Sequence, residues 1–161
     1  MRIILLGNAG AGKSTMARRL MRGQSVPRLS LDEIAWAEGA ERKPLEESIQ
    51  ALRNFLDEND HWIIEGCYSD LIEVALPFCE ELRFLNPGVE VCVSHCLNRP
   101  WEPEKFSTEH EQKKMLANLI AWVREYETRT DEYGLKRHRQ LFESFSGKKR
   151  EYKRIVEYAE G

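Results

Sequence analysis

The chain has 161 residues, 42% of them hydrophobic and 32% charged, with 24 Lys and Arg against 27 Asp and Glu for a formal net charge of −3. That length predicts one domain over residues 1–161, able to bury roughly 68–70% of its unfolded surface. The charge balance excludes a general polyanion binder, and no apolar run approaches the roughly 20 residues of a bilayer span.

The N-terminus reads directly into a strand at Arg2 to Leu6, with no secretory leader pattern. Gly7-Asn8-Ala9-Gly10-Ala11-Gly12-Lys13-Ser14-Thr15 follows and fits G-x-x-x-x-G-K-[ST]. Residues without Cβ let successive N–H groups converge, and a helix start adds partial positive charge. That combination seats a polyphosphate: Lys13 reaches the β/γ-phosphates and the Ser14 hydroxyl takes Mg²⁺. The alternative is a glycine-rich turn that only joins strand to helix. A helix is predicted from Lys13 to Arg22, stopped by Gly23.

Val26 to Leu31 reads as a second strand ending at Asp32. An acidic residue at the carboxyl end of a strand is placed for chemistry, or else caps the turn Glu33 to Trp36. Gly39 to Lys43 is a polar loop. Leu45, Ile49, Leu52, Phe55 and Leu56 have helical spacing, which predicts a helix from Leu45 to Glu58. A third strand, His61 to Glu65, is closed by Gly66. Glu65 acts on the metal or its water, or caps the next turn.

Ser69 is the N-cap candidate of a helix reaching Leu76. Leu82 to Leu85 is a fourth strand. Val89 to Asn98 carries both alternation and a helical stripe; a β-α-β rhythm selects helix. Arg99 to Ser107 holds two prolines and reads as an irregular lid (about 99–112) folding back over the phosphate loop. A long helix starts at Thr108, and another runs from Leu135 to Phe145. Lys148 to Ile155 reads as a lysine-bearing edge strand, with a terminal helix as the alternative.

Cys67, Cys79, Cys92 and Cys96 form no C-x-x-C pair, which predicts reduced thiols in a cytoplasmic protein. Cys92 and Cys96 flank His95, but no second pair of zinc ligands accompanies them, so core thiols are expected. The basic stretch Arg129 to Arg154 is either a nucleic-acid patch or a solvated surface. The sparse aromatics favour the surface.

Ile3 to Thr15, Arg28-Leu29-Ser30-Leu31-Asp32 and Trp62-Ile63-Ile64-Glu65-Gly66-Cys67-Tyr68 resemble the small P-loop kinases of the adenylate kinase and shikimate kinase group. With Leu82-Arg83-Phe84-Leu85-Asn86-Pro87 and Cys96-Leu97-Asn98-Arg99, they are similar above all to the adenylate-kinase-related "DNA topology modulation" proteins. The resemblance implies a three-layer α/β fold. Its sheet would have five parallel strands in order 2-3-1-4-5, with helices on both faces and a small lid. It also implies ATP and Mg²⁺. Asp32 would hold the acceptor hydroxyl or a magnesium-bound water, and Arg99 would stack on adenine. Arg124 and Arg129 would steady the γ-phosphate. Glu65-Gly66-Cys67-Tyr68 departs from the Asp-Gly-Phe-Pro-Arg of adenylate kinases, and the shikimate kinases' triple glycine is missing.

The expected activity is phosphoryl transfer from ATP to a small nucleotide, shikimate-like or sugar-like acceptor, by a monomer or homodimer. Asp32, Trp36, Gly66 and Tyr68 would form the acceptor pocket, although Trp36 and Tyr68 also read as ordinary core or rim aromatics. A slow ATPase and a nucleotide-dependent regulator that touches nucleic acid are the competing readings.

Overall fold

A computed structural model describes residues 1–37, 41–103 and 106–159. Residues 39–40 of the predicted polar loop and 104–105 of the predicted lid lie outside them.

Five strands form one parallel sheet in the order β2-β3-β1-β4-β5. They are β1 (Arg2–Gly7), β2 (Arg28–Ser30), β3 (Trp62–Gly66), β4 (Glu81–Leu85) and β5 (Lys148–Tyr152). β1 is central, with Ile4 opposite Ile64 of β3 and Leu82 of β4. Strand alternation sends its side chains to both faces, and all of Ile3 to Leu6 are buried, as in a parallel sheet covered on both sides.

Ile4 and Leu6 join Leu29, Leu52, Trp62, Ile64, Leu71, Phe84 and Leu141 in one apolar layer. That layer lies beneath α3 (Leu45–Glu58), α4 (Ser69–Ala75) and α7 (Leu135–Ser144). Ile3 and Leu5 join Met16, Ala17, Ile63, Leu85, Val93 and Val123 in the other. This second layer lies beneath α1 (Lys13–Leu20), α5 (Val89–Leu97) and α6 (Glu109–Arg124). The predicted three-layer α/β architecture and the 2-3-1-4-5 order are what the chain adopts.

The boundaries differ where local chemistry intervenes. β2 begins at Arg28, because Pro27 has no N–H to give a ladder; its carbonyl still accepts from Ile63 at 2.9 Å. Asp32 opens the short helix α2 (Asp32–Ala35) as its first helical residue and makes no capping bond. Ser69 likewise lies inside α4, with Tyr68 at the cap position. Thr108 does cap α6: its hydroxyl accepts from the Glu111 N–H at 3.0 Å. The stretch at 89–98 is helix α5, and the lysine-bearing segment is edge strand β5. After β5 a 3₁₀ turn, Ile155–Ala159, brings the chain back to the sheet's carboxyl end. No helix among the described residues is long and apolar enough to cross a membrane.

Candidate active site

The glycine-rich loop leaves β1 and enters α1. Gly10 and Gly12 have φ of 81° and 96°, a region open to glycine and strained for other residues. A Cβ on Gly10 would also lie 2.4 Å from the Cys92 carbonyl oxygen, so the loop is pressed onto α5. Gly12 is the N-cap of α1 and carries no capping side chain. The first-turn N–H groups of a helix have no intrahelical acceptor, which makes this start a seat for an anion.

Lys13 spans the loop, its ammonium donating to the carbonyls of Gly7 (3.0 Å) and Asn8 (2.7 Å). Buried Asn8 donates to the Val123 carbonyl at 3.3 Å and so ties the loop to the end of α6. Ala9 packs into the second apolar layer, Ala11 is fully buried, and exposed Thr15 accepts from Arg18.

Below the loop, Ser14 donates to Glu65 Oε2 at 3.3 Å. Arg28, which the sequence did not single out, donates to Ser14 Oγ at 3.3 Å and pairs with Glu65 Oε1 at 3.5 Å. Glu65 is nearly buried, and a buried carboxylate needs a partner cation. Arg28 and Ser30 share a face of β2, and the register sets Ser30 beside Glu65, so the long arginine runs up that face to the carboxylate. The carboxylate on Ser14 is thus Glu65; no bond joins Asp32 to Ser14 among the described residues.

Asp32, Trp36 and Tyr68 do come together. The Tyr68 hydroxyl donates to Asp32 Oδ1 and accepts from Trp36 Nε1 at 2.7 Å. Burial, helped by Cys67 and Asp32, pushes the Tyr68 phenol up, so it stays a neutral donor. Gly66 lets β3 pass close to Leu31, whose Cβ would lie 2.9 Å from an added methyl. Buried Cys67, held at about 12 chiefly by desolvation, feels both Lys13 and Asp32.

Arg42 was also missed. Its guanidinium lies 5.1 Å from the Tyr68 ring, donates to the Tyr133 hydroxyl at 2.8 Å and pairs with Asp70 at 3.4 Å. Arg129 stacks on Trp122 at 4.4 Å and is held by Asp131 at 3.0 Å. It reaches the Asp32 group through Tyr133, which meets the Tyr68 ring at 5.4 Å. Arg124 closes α6 and pairs with Glu90 of α5 at 2.5 Å, half exposed. Arg99 is exposed, and no bond joins it to the loop among the described residues. Of the segment predicted as a lid, 99–112, the described part is clasped by Gln112, which accepts from the Glu102 N–H and donates to the Pro100 carbonyl.

His138 locks the wall behind β3. The Cys67 carbonyl can only accept, so it fixes a proton on Nε2 at 2.8 Å. Nδ1 then accepts from the Tyr126 hydroxyl at 2.7 Å. Desolvation lowers this imidazole from 6.5 to about 4. The unfolded chain therefore takes the proton first. Stability is fully present above about pH 6.5 and falls as pH drops towards 4, by up to about 3 kcal/mol. Urea midpoints at pH 7.5 and 4.5 should differ more in the wild type than in His138→Gln; equal differences would refute this coupling.

Comparison with solved structures returns a shikimate kinase from Aquifex aeolicus vf5 and a sugar kinase from Janibacter sp. HTCC2649. The shikimate kinase is 22% identical, with a TM-score of 0.47 over 73% of this chain and 82% of the other. The sugar kinase is 14% identical, with a TM-score of 0.52 over 94% of this chain and 83% of the other. No protein-family model matches the chain, and no curated protein matches it. The chain shares its fold with that sugar kinase.

Proposed function

We propose that the chain transfers the terminal phosphoryl group of ATP to a small acceptor. One observation carries the reading: the loop that Lys13 spans after β1, the Asp32 carboxylate after β2 and the Tyr68 hydroxyl bonded to it after β3 all stand at the carboxyl end of one parallel sheet. Phosphoryl transfer has a loose transition state with charge spread over equatorial oxygens, so positioned donors and cations supply the catalysis. The first-turn amides and Lys13 hold the phosphates. Asp32, with one oxygen occupied by Tyr68, keeps the other to orient an acceptor hydroxyl and take its proton.

Ser14 and Glu65 would hold Mg²⁺, which binds through one or two protein oxygens plus substrate phosphates, once the Arg28 guanidinium that bridges them moves aside. Among the described residues no cluster of three or more His, Cys, Asp or Glu offers a rival metal site. Bound with ATP, Mg²⁺ neutralises charge on the transferring group. The basic stretch supports a small ligand over nucleic acid, because its cations are largely spent on acids. Arg137 pairs with Glu73, Arg139 with Glu151, Lys148 with Glu81, and Arg150 and Arg154 with Glu157.

ADP release should be followed with ATP and Mg²⁺ against sugars, shikimate-like acids and nucleoside monophosphates. One class is expected to raise the rate at least tenfold over buffer. ATP loss that no acceptor accelerates would make water the acceptor. The absence of both ATP loss and ATP binding would end the kinase reading.

A further inference from the structure

The glycines that shape the loop leave its peptide planes free to turn, because glycine occupies positive and negative φ about equally. A phosphate seat needs those planes fixed before the ligand arrives, since ordering them on binding costs affinity. Two side chains from distant parts of the chain fix two consecutive planes. His95 of α5 donates through Nδ1 to the Gly10 carbonyl at 2.6 Å. The Tyr158 hydroxyl, on the 3₁₀ turn after β5, donates to the Ala11 carbonyl at 2.7 Å. Tyr158 is 7% exposed, its ring lies 3.0 Å from where a Cβ of Gly12 would be, and it meets Tyr152 edge-on at 5.8 Å. Its neighbours therefore hold the ring, and the ring aims the hydroxyl.

In a trans peptide the C=O and the following N–H point in opposite directions. A bond that draws the Ala11 carbonyl towards Tyr158 therefore turns the Gly12 N–H to the other side of the plane. That N–H stands at the start of α1, beside the first-turn amides.

We propose that Tyr158 is a positioning residue for polyphosphate: through the Ala11 carbonyl it presets the Gly12 amide towards the bound phosphate. The inference rests on the phosphate seat proposed above. It gives the last turn of the fold a role in binding that strand order alone does not suggest.

Tyr158→Phe keeps the ring and removes only the hydroxyl. Titration calorimetry with Mg²⁺ADP and with inorganic tripolyphosphate should show both binding roughly fivefold more weakly, the worth of one oriented hydrogen bond. The unliganded unfolding midpoint should fall by only about 2–8 °C, the cost of one unpaired buried carbonyl, and the variant stays folded at assay temperature. His95→Ala should weaken both ligands in the same direction.

Unchanged affinity for both ligands in Tyr158→Phe overturns the role. So does a loss confined to ADP, which would place Tyr158 on the nucleoside. If the variant does not fold, the wild-type Gly12 amide resonance decides. A large shift on adding tripolyphosphate supports the preset amide, and no shift overturns it. A wild type that binds neither ligand removes the seat itself, and the role with it.

Discussion

Lys13→Ala is expected to lower kcat/KM for ATP by about 10³-fold while the protein stays folded. The ammonium is set across the loop, at 3.0 and 2.7 Å from the Gly7 and Asn8 carbonyls. Removing a preorganised group that meets transition-state charge costs about 10²–10³ in turnover, and cations on a transferring phosphoryl group cost more. The structural loss is small by comparison. Two partly buried hydrogen bonds to backbone carbonyls go, each worth about 1 kcal/mol net, and water can reach the freed oxygens. The thermal midpoint should therefore fall by only a few degrees. Turnover and calorimetric unfolding of the same preparation check both halves. Transfer within tenfold of wild type would remove Lys13 from the chemistry. A collapsed midpoint would make it a structural residue.

Asp32→Asn should cut kcat by about 10²–10⁴ and leave ADP affinity unchanged, since this is the usual contribution of a positioned general base. The substitution is close to isosteric, and an amide oxygen can still accept from the Tyr68 hydroxyl, so the Tyr68–Trp36 arrangement survives. What disappears is the negative charge that draws the acceptor's proton. Glu65→Gln gives the contrast. Glu65 bonds Ser14 and Arg28 rather than the Tyr68 group, so its loss should appear in the metal dependence of nucleotide binding. An Asp32→Asn enzyme within threefold of wild-type kcat, with an acceptor that accelerates the wild type, would relieve Asp32 of the role.

The features legible in the sequence were those written locally. The glycine-rich loop lies between an apolar run and a helix former, and both flanks appeared where expected. Helix α3 matched its spacing to the residue, since a 14-residue amphipathic repeat leaves little choice. Asp32 could be picked out because strand ends in a parallel sheet collect chemistry, and Tyr68 because it closes the Glu65-Gly66-Cys67-Tyr68 segment. Their meeting could not be, because it depends on how Trp36 and Tyr68 pack across two connections. Arg28, Arg42 and Tyr158 were invisible for the same reason. Each acts on a partner between 14 and 147 positions away, and no local pattern separates such a residue from a solvated one. Ser69 shows the opposite failure. The residue type suited a cap, but the chain entered the helix one residue earlier.

The strand order also governs how the molecule assembles. Of the strands in this sheet, the innermost is also the earliest made, and its two partners start at positions 62 and 81. At about 5–20 residues per second, an apolar segment that ends up wholly covered waits several seconds for its first neighbour. Closing loops of that size before any ladder forms makes such sheets slow to fold. The run from Ile3 to Leu6 is therefore where a chaperone has most to shield during synthesis, and where premature association between nascent chains would begin.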